Sequence, residues 1–224
     1  DPIPDPILLA DRRNTGILQR GAKGWSALLG RADSKAMLDW VFQRQDVLLV
    51  AHNAAFDAMM ALHTRRNVPE TVTGIFRAYA QGRVIDTRLR EQLLSIAEGW
   101  TEFDPVLSQK PPRFDLASCT QRRLGVTLGG KSGEDAWRLN YHKLDGVPLL
   151  QWPAEAVQYA LLDAEYALYV ALAQAPLGYR TRSSSDLPPY TTPQGGVVDE
   201  TRQARAAFAL ELQSAWGVTT DPVT

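Results

Sequence analysis

An unbroken apolar run, Val47-Leu48-Leu49-Val50-Ala51, is followed at once by His52-Asn53-Ala54-Ala55-Phe56-Asp57. The run is short, shows no polar alternation and is rich in strand formers. It therefore predicts a buried strand, central and parallel to its neighbours. The next apolar positions fall at helical spacing, so a helix over about Ala54 to Thr64 is expected directly after the strand. A carboxylate one turn into a helix, just past the carboxyl end of a buried strand, faces the crevice where α/β proteins bind ligands. The same residues also suit a plainer reading, with Asn53 as helix N-cap and Asp57 as a solvated side chain.

The rest of the chain continues the mixture of strands and helices that marks an α/β domain. Ile7 to Ala10 is a strand candidate. Ser34 is placed to cap a helix carrying Met37, Leu38, Val41 and Phe42. Val84-Ile85 is a second short strand, and Asp86 is expected to cap the helix bearing Leu89, Leu93, Leu94 and Ile96. Glu98 to Pro112 reads as a loop, and Phe114 to Leu124 as a helix closed by Gly125. Pro153 suits a helix first turn, and Ala154 to Ala173 is the clearest helical pattern. Pro176 to Gly196, rich in Pro, Ser, Thr and Gly, reads as linker or surface loop. Glu200 to Trp216 follows as an amphipathic helix ended by Gly217.

Composition sets wide bounds. The 224 residues suffice for one large domain, or one domain and part of another. No apolar run is long enough to cross a bilayer, so no membrane partner is expected. Cys119 is the only cysteine, which excludes an internal disulfide and a cysteine-based zinc site. It reads as a small buried hydrophobe. A net charge of −1 permits nucleic acid as substrate without arguing for it.

The second chemical segment is Tyr159-Ala160-Leu161-Leu162-Asp163. Its four-residue spacing puts a phenol and a carboxylate on one helix face, one turn apart. A carboxylate can hold a divalent metal, and a phenol can orient a water beside it. A half-buried Tyr next to an exposed Asp on an amphipathic helix would give the same pattern.

Taken together, Asn53-x-x-Phe56-Asp57 after an apolar strand and Tyr159-x-x-x-Asp163 on a later helix resemble the second and third exonuclease motifs of the DEDDy nucleases. Several further segments resemble phage-type family A (DNA polymerase I-like) polymerases. These are Val84 to Leu89, Asp115 to Gly125 with Lys131, Trp137-Arg138, Val147 to Leu149 and Trp152-Pro153. Gln203 to Asp221 is similar to the helix and turn that lead into their polymerase domain. The resemblance runs from Val47 onward. It implies a ribonuclease H-like 3′–5′ exonuclease domain, a mixed β-sheet flanked by helices, over 1–176. A linker or surface loop at 177–197 would follow, then a helix at 198–224 leading into an absent polymerase domain.

The implied function is proofreading, the two-metal hydrolysis of terminal phosphodiesters in DNA with Mg²⁺ or Mn²⁺. The implied partners are the 3′ end of single-stranded DNA and the polymerase domain of the same chain, in the cytoplasm of a bacterial or phage-infected cell. By the same resemblance, Asp163 holds the first ion, Tyr159 orients the attacking water and Asp57 holds the second ion. Asn53 positions the substrate strand or supports Asp57, and Phe56 and Lys131 meet the strand. The family's first motif, Asp-x-Glu, has no counterpart: Asp1 and Asp5 sit among prolines and do not match it. Truncation upstream is expected rather than loss of the motif. The alternatives are a degenerate exonuclease-like domain that only binds single-stranded DNA or scaffolds the polymerase, a stand-alone ribonuclease of the ribonuclease D kind, and an unrelated α/β domain with chance motifs. His52 and His142 read as packing and surface residues. The six tryptophans read as core residues before base-stacking platforms, although Trp137, in a polar stretch, is a candidate to stack a terminal base.

Overall fold

The computed structural model describes residues 16–21, 24–29, 31–97, 113–129, 137–180, 197 and 199–216. The architecture is α/β and mostly helical, with a small parallel sheet. The strand expected at Ile7 to Ala10, the loop expected at Glu98 to Pro112, and Lys131 lie outside the described residues. So do 181–196 of the expected linker.

Strands β1 (Gly16–Gly21) and β2 (Gly24–Leu29) pair antiparallel, with Gly21 opposite Gly24. This pair has no counterpart in the sequence reading. In β1 the apolar residues Ile17 and Leu18 are adjacent and Gln19-Arg20 follow, so the two-residue alternation of a strand is hidden. Helix α1 (Arg31–Gln43) then begins ahead of Ser34. Ser34 is therefore not the N-cap; its hydroxyl lies inside the first turn and donates to the Leu29 carbonyl at 3.0 Å.

Strand β3 (Leu49–Ala51) runs parallel to β4 (Val84–Asp86), with Leu49 opposite Val84 and Ala51 opposite Asp86. The parallel pairing agrees with the sequence expectation. The expected burial does not, because β4 is buried throughout while β3 is half-buried and Leu48 is 46% exposed. Among the described residues β4 is the only strand paired with β3, and these strands form two separate pairs rather than one mixed sheet.

Helix α2 (Ala54–Arg65) buries Ala54, Ala55, Ala58 and Ala61. This face of small side chains admits close approach by α8 (Glu200–Trp216), which brings Ala204 and Phe208 into the same core. Helix α3 (Pro69–Ala80) starts with proline in its first turn, where the missing N–H costs nothing. Tyr79 of α3 stacks on Phe208 at 4.2 Å between ring centres. Gly74 lies where α3 meets α1: a Cβ there would come within 2.4 Å of the Phe42 carbonyl oxygen, so only glycine permits this approach.

Helix α4 (Thr87–Ala97) turns a polar face inward, with Thr87, Arg90, Glu91, Leu94 and Ser95 all buried. Ile96, one of the apolar residues of this helix, is 62% exposed. Buried charges must be paired. Arg90 meets Glu200 of α8 at 3.0 Å. Glu91 accepts from Arg122 at 2.7 Å, from Arg123 at 2.8 Å and from Gln174 at 2.8 Å. The first pair ties α8 into the core. The second network joins α4 to α5 (Leu116–Leu124) and to α7 (Ala154–Arg180).

Helix α5 is capped by Asp115, whose carboxylate accepts from the Ser118 N–H at 2.9 Å, and it ends on left-handed Gly125 at φ 70°. Leu116, fully buried Cys119 and Val170 form the smaller core between α5 and α7. Burial pushes the Cys119 thiol up to about 12, as suits an inert packing residue. A short helix, α6 (Trp137–Asn140), and two 3₁₀ turns precede α7. Helix α7 runs on to Arg180, past the Ala173 expected, so it takes in Pro176 and the first residues assigned to the linker. Among the described residues no helix is long and apolar enough to cross a membrane.

Candidate functional site

Strands β3 and β4 each pass into a helix within a residue or two, and their carboxyl ends lie side by side. The turn from β3 to α2 is made by His52 and Asn53. Asn53 takes the left-handed conformation, φ 73° and ψ 51°, which asparagine tolerates better than most side chains. It stands at the N-cap position without making a side-chain cap. The capping group comes instead from β4. Asp86, only 2% exposed, accepts from the N–H groups of Asn53 at 3.1 Å, Ala54 at 2.9 Å, Arg88 at 2.9 Å and Leu89 at 3.3 Å. One buried carboxylate thus caps both α2 and α4, where the partial positive charges of two helix ends favour an anion.

His52 braces the same junction. Its Nε2 lies 3.0 Å from the Phe114 carbonyl, which can only accept, so Nε2 carries a proton. Burial lowers the imidazole pKa, and Nδ1 lies 2.9 Å from the Thr87 hydroxyl, which itself reaches the Ala51 carbonyl at 3.3 Å. This fastens the segment ahead of α5 to the strand ends.

These elements and α7 enclose a cleft of about 1170 Å³. Asn53 and Asp57 line it from the β3–α2 side, and Tyr159 and Asp163 from α7. The two motifs, about a hundred residues apart in sequence, meet in one cavity. Phe56 does not join them: it is 52% exposed on α2, one turn from the exposed Met60, and does not line the cleft. The cleft is also lined by His52, Arg88, Arg113, Phe114 and Asp115.

Asp57 keeps surface open to the cleft, but the surrounding walls thin the water at its carboxyl. This desolvation, with the charge of Asp86 second, pushes its pKa up to about 6. Tyr159 is buried and packs edge-on against Tyr141 at 6.0 Å between ring centres. The Tyr141 hydroxyl donates to the Ala156 carbonyl of α7 at 3.0 Å, and its ring also meets Trp152 at 5.8 Å and Trp137 at 6.2 Å. Trp137 is thus a member of the aromatic cluster behind Tyr159. His142 is exposed.

Asp57 and Asp163 are hard oxygen donors of the kind Mg²⁺ and Mn²⁺ take. A cation would also offset the desolvation that disfavours the charged form of Asp57. Two carboxylates hold such an ion weakly, and among the described residues no three His, Cys, Asp or Glu side chains form a metal-binding group. The sequence reading missed the double cap by Asp86 and the presence of Arg88 in the cleft. Both lie at the carboxyl end of the second strand of a parallel pair, the edge where α/β folds gather ligand-binding groups. No family model, curated protein or solved structure matches the chain.

Proposed function

We propose that the chain is a ribonuclease H-like 3′–5′ exonuclease domain of a family A DNA polymerase. It would remove nucleotides from the 3′ end of single-stranded DNA for the polymerase domain of the same chain, in the cytoplasm of a bacterial or phage-infected cell. The observation that supports this is the meeting of Asn53, Asp57, Tyr159 and Asp163 in one cleft at the carboxyl ends of two parallel strands. Divalent ions, when bound, supply charge neutralisation at the reacting phosphate. Asp57 and Asp163 are the residues that would hold them. The Tyr159 hydroxyl orients the attacking water, and the Tyr141–Trp152 cluster keeps the Tyr159 ring from turning away. The αL turn at Asn53 and the Asp86 cap fix the start of α2, and with it Asp57.

A second reading, a degenerate domain that binds single-stranded DNA without cutting it, is favoured by the lack of a three-acid group among the described residues. The two are separated with a 5′-labelled single-stranded oligonucleotide and Mg²⁺. The 224-residue chain degrades it little or not at all. A chain extended upstream to include an Asp-x-Glu strand shortens it from the 3′ end. In that extended chain Tyr159→Phe lowers kcat by about a hundredfold and leaves DNA affinity nearly unchanged. Binding without degradation by the extended chain selects the second reading. Absence of binding ends both.

A further inference from the structure

We propose that Arg88 is the phosphate-gripping residue of this cleft, holding a non-bridging oxygen of the single-stranded DNA backbone; this rests on the nucleic-acid reading above. A strand that reaches Asp57 and Asp163 brings negative charge into a cavity already lined by these two carboxylates and Asp115, with Asp86 buried beneath. The lining must supply cations. Burial disfavours the charged form of His52, and its two ring nitrogens are taken up by Thr87 and the Phe114 carbonyl, which leaves Arg88 and Arg113 among the residues of the wall. Arg113 is partly committed, with Asp115 at 3.9 Å.

Arg88 is placed differently. It is the second residue of α4, exposed, and its backbone N–H is held by Asp86 at 2.9 Å, so the root of the side chain is fixed. Its guanidinium makes one long bond, Nη1 to Asn53 Oδ1 at 3.3 Å, and no ion pair with any described residue. Other arginines are spent on acids: Arg65 on Asp39, Arg90 on Glu200, Arg122 and Arg123 on Glu91. An arginine that stays unpaired beside several carboxylates keeps most of its donor fork for a ligand. The planar fork matches two oxygens of one phosphate, which a lysine ammonium cannot do. The contact with Asn53 would aim the fork across the mouth of the β3–α2 turn, beside Asp57. Arg88 is thus a positioning residue for the strand.

The test measures binding of a fluorescein-labelled oligothymidylate to the 224-residue chain by anisotropy, in EDTA and over a range of salt. Leaving out divalent ions separates gripping from cutting. Arg88→Gln keeps a donor for Asn53 and removes the charge. Arg202→Ala removes one charge from the 80% exposed side chain on α8, outside the cleft, and serves as control. Arg88→Gln should bind about tenfold more weakly, with a salt slope shallower by about 0.7. Arg88→Lys should recover the slope but not the affinity, and Arg202→Ala should match the wild type. Thermal melting of each variant confirms that the fold is kept. Wild-type binding that Arg88→Gln leaves unchanged overturns this inference and spares the nucleic-acid reading. A wild-type chain that does not bind the oligonucleotide overturns both.

Discussion

Replacing Asp86 by alanine should destabilise the domain by about 3 kcal/mol, because two helices lose one shared cap. The four N–H groups of Asn53, Ala54, Arg88 and Leu89 all point at this carboxylate, which is 2% exposed. Loss of an N-cap costs ~1 kcal/mol per helix when water can take its place. Water reaches this site poorly, so each donor left without a partner adds part of the ~1–3 kcal/mol that a buried unsatisfied group costs. Relief of the repulsion between Asp86 and Asp57 returns a little.

Asparagine should fall between aspartate and alanine. Oδ1 of Asp86 serves Asn53, Arg88 and Leu89, while Oδ2 serves Ala54 alone at 2.9 Å. An amide with its oxygen in the Oδ1 place keeps three bonds and sets its NH₂ against the Ala54 N–H. That orphans one donor, at ~1–2 kcal/mol. Urea unfolding followed by circular dichroism gives both values by linear extrapolation. A loss below about 1 kcal/mol for Asp86→Ala, less than two caps are worth, would refute the double cap.

Two further perturbations probe the core and the cleft. Glu200→Ala leaves the Arg90 guanidinium buried without its partner and should cost about 3–5 kcal/mol. Hydrogen exchange should rise first in α8 and α4, and the double variant Arg90→Met, Glu200→Leu should regain most of the loss. Equal losses in the single and double variants would contradict the pairing. For Asp57, the folded pKa of about 6 lies above the ordinary 3.8. The folded state therefore binds the extra proton within that window, and stability falls as pH rises from 3.8 to about 6. Asp57→Asn should remove this fall, gaining on the wild type at pH 7 relative to pH 4. Urea midpoints at the two pH values check it, and a difference independent of pH would show that the carboxyl is not desolvated.

The helices were easier to read from sequence than the sheet, for a physical reason. Gly125 at the end of α5, and the apolar spacing of α7 and α8, are local signals that need no partner to be seen, whereas the Asp115 cap, which starts α5 at Leu116 rather than at Phe114, was not read. The β1–β2 pair has no alternation to betray it, and the exposure of β3 depends on which strands lie beside it. In the cleft, Asn53, Asp57, Tyr159 and Asp163 were legible because each pair sits within one helical turn and its chemistry shows in its spacing. Arg88 and the dual role of Asp86 were not. They arise from the register Ala51 opposite Asp86, a contact between strands that no local window contains. Phe56 belongs to the motif in sequence, yet helical geometry turns it away from the cleft while Asp57, one residue later, lines it. The buried polar face of α4 was hidden because Arg90 and Glu91 read as solvent-facing until Glu200, Arg122 and Arg123 are placed around them.

Whether Asp57 and Asp163 form one metal site is tested most directly by Mn²⁺-induced paramagnetic broadening of the chain's amide resonances, with single-stranded DNA present. The method registers weak, partly occupied ions, which suits a site where two carboxylates share the metal with substrate phosphates. Signals from residues 53–58 and 159–164 should broaden ahead of all others. Asp57→Asn and Asp163→Asn should each abolish the effect. Broadening centred on other acidic residues, or unchanged by both substitutions, would contradict a metal-dependent nuclease cleft between α2 and α7.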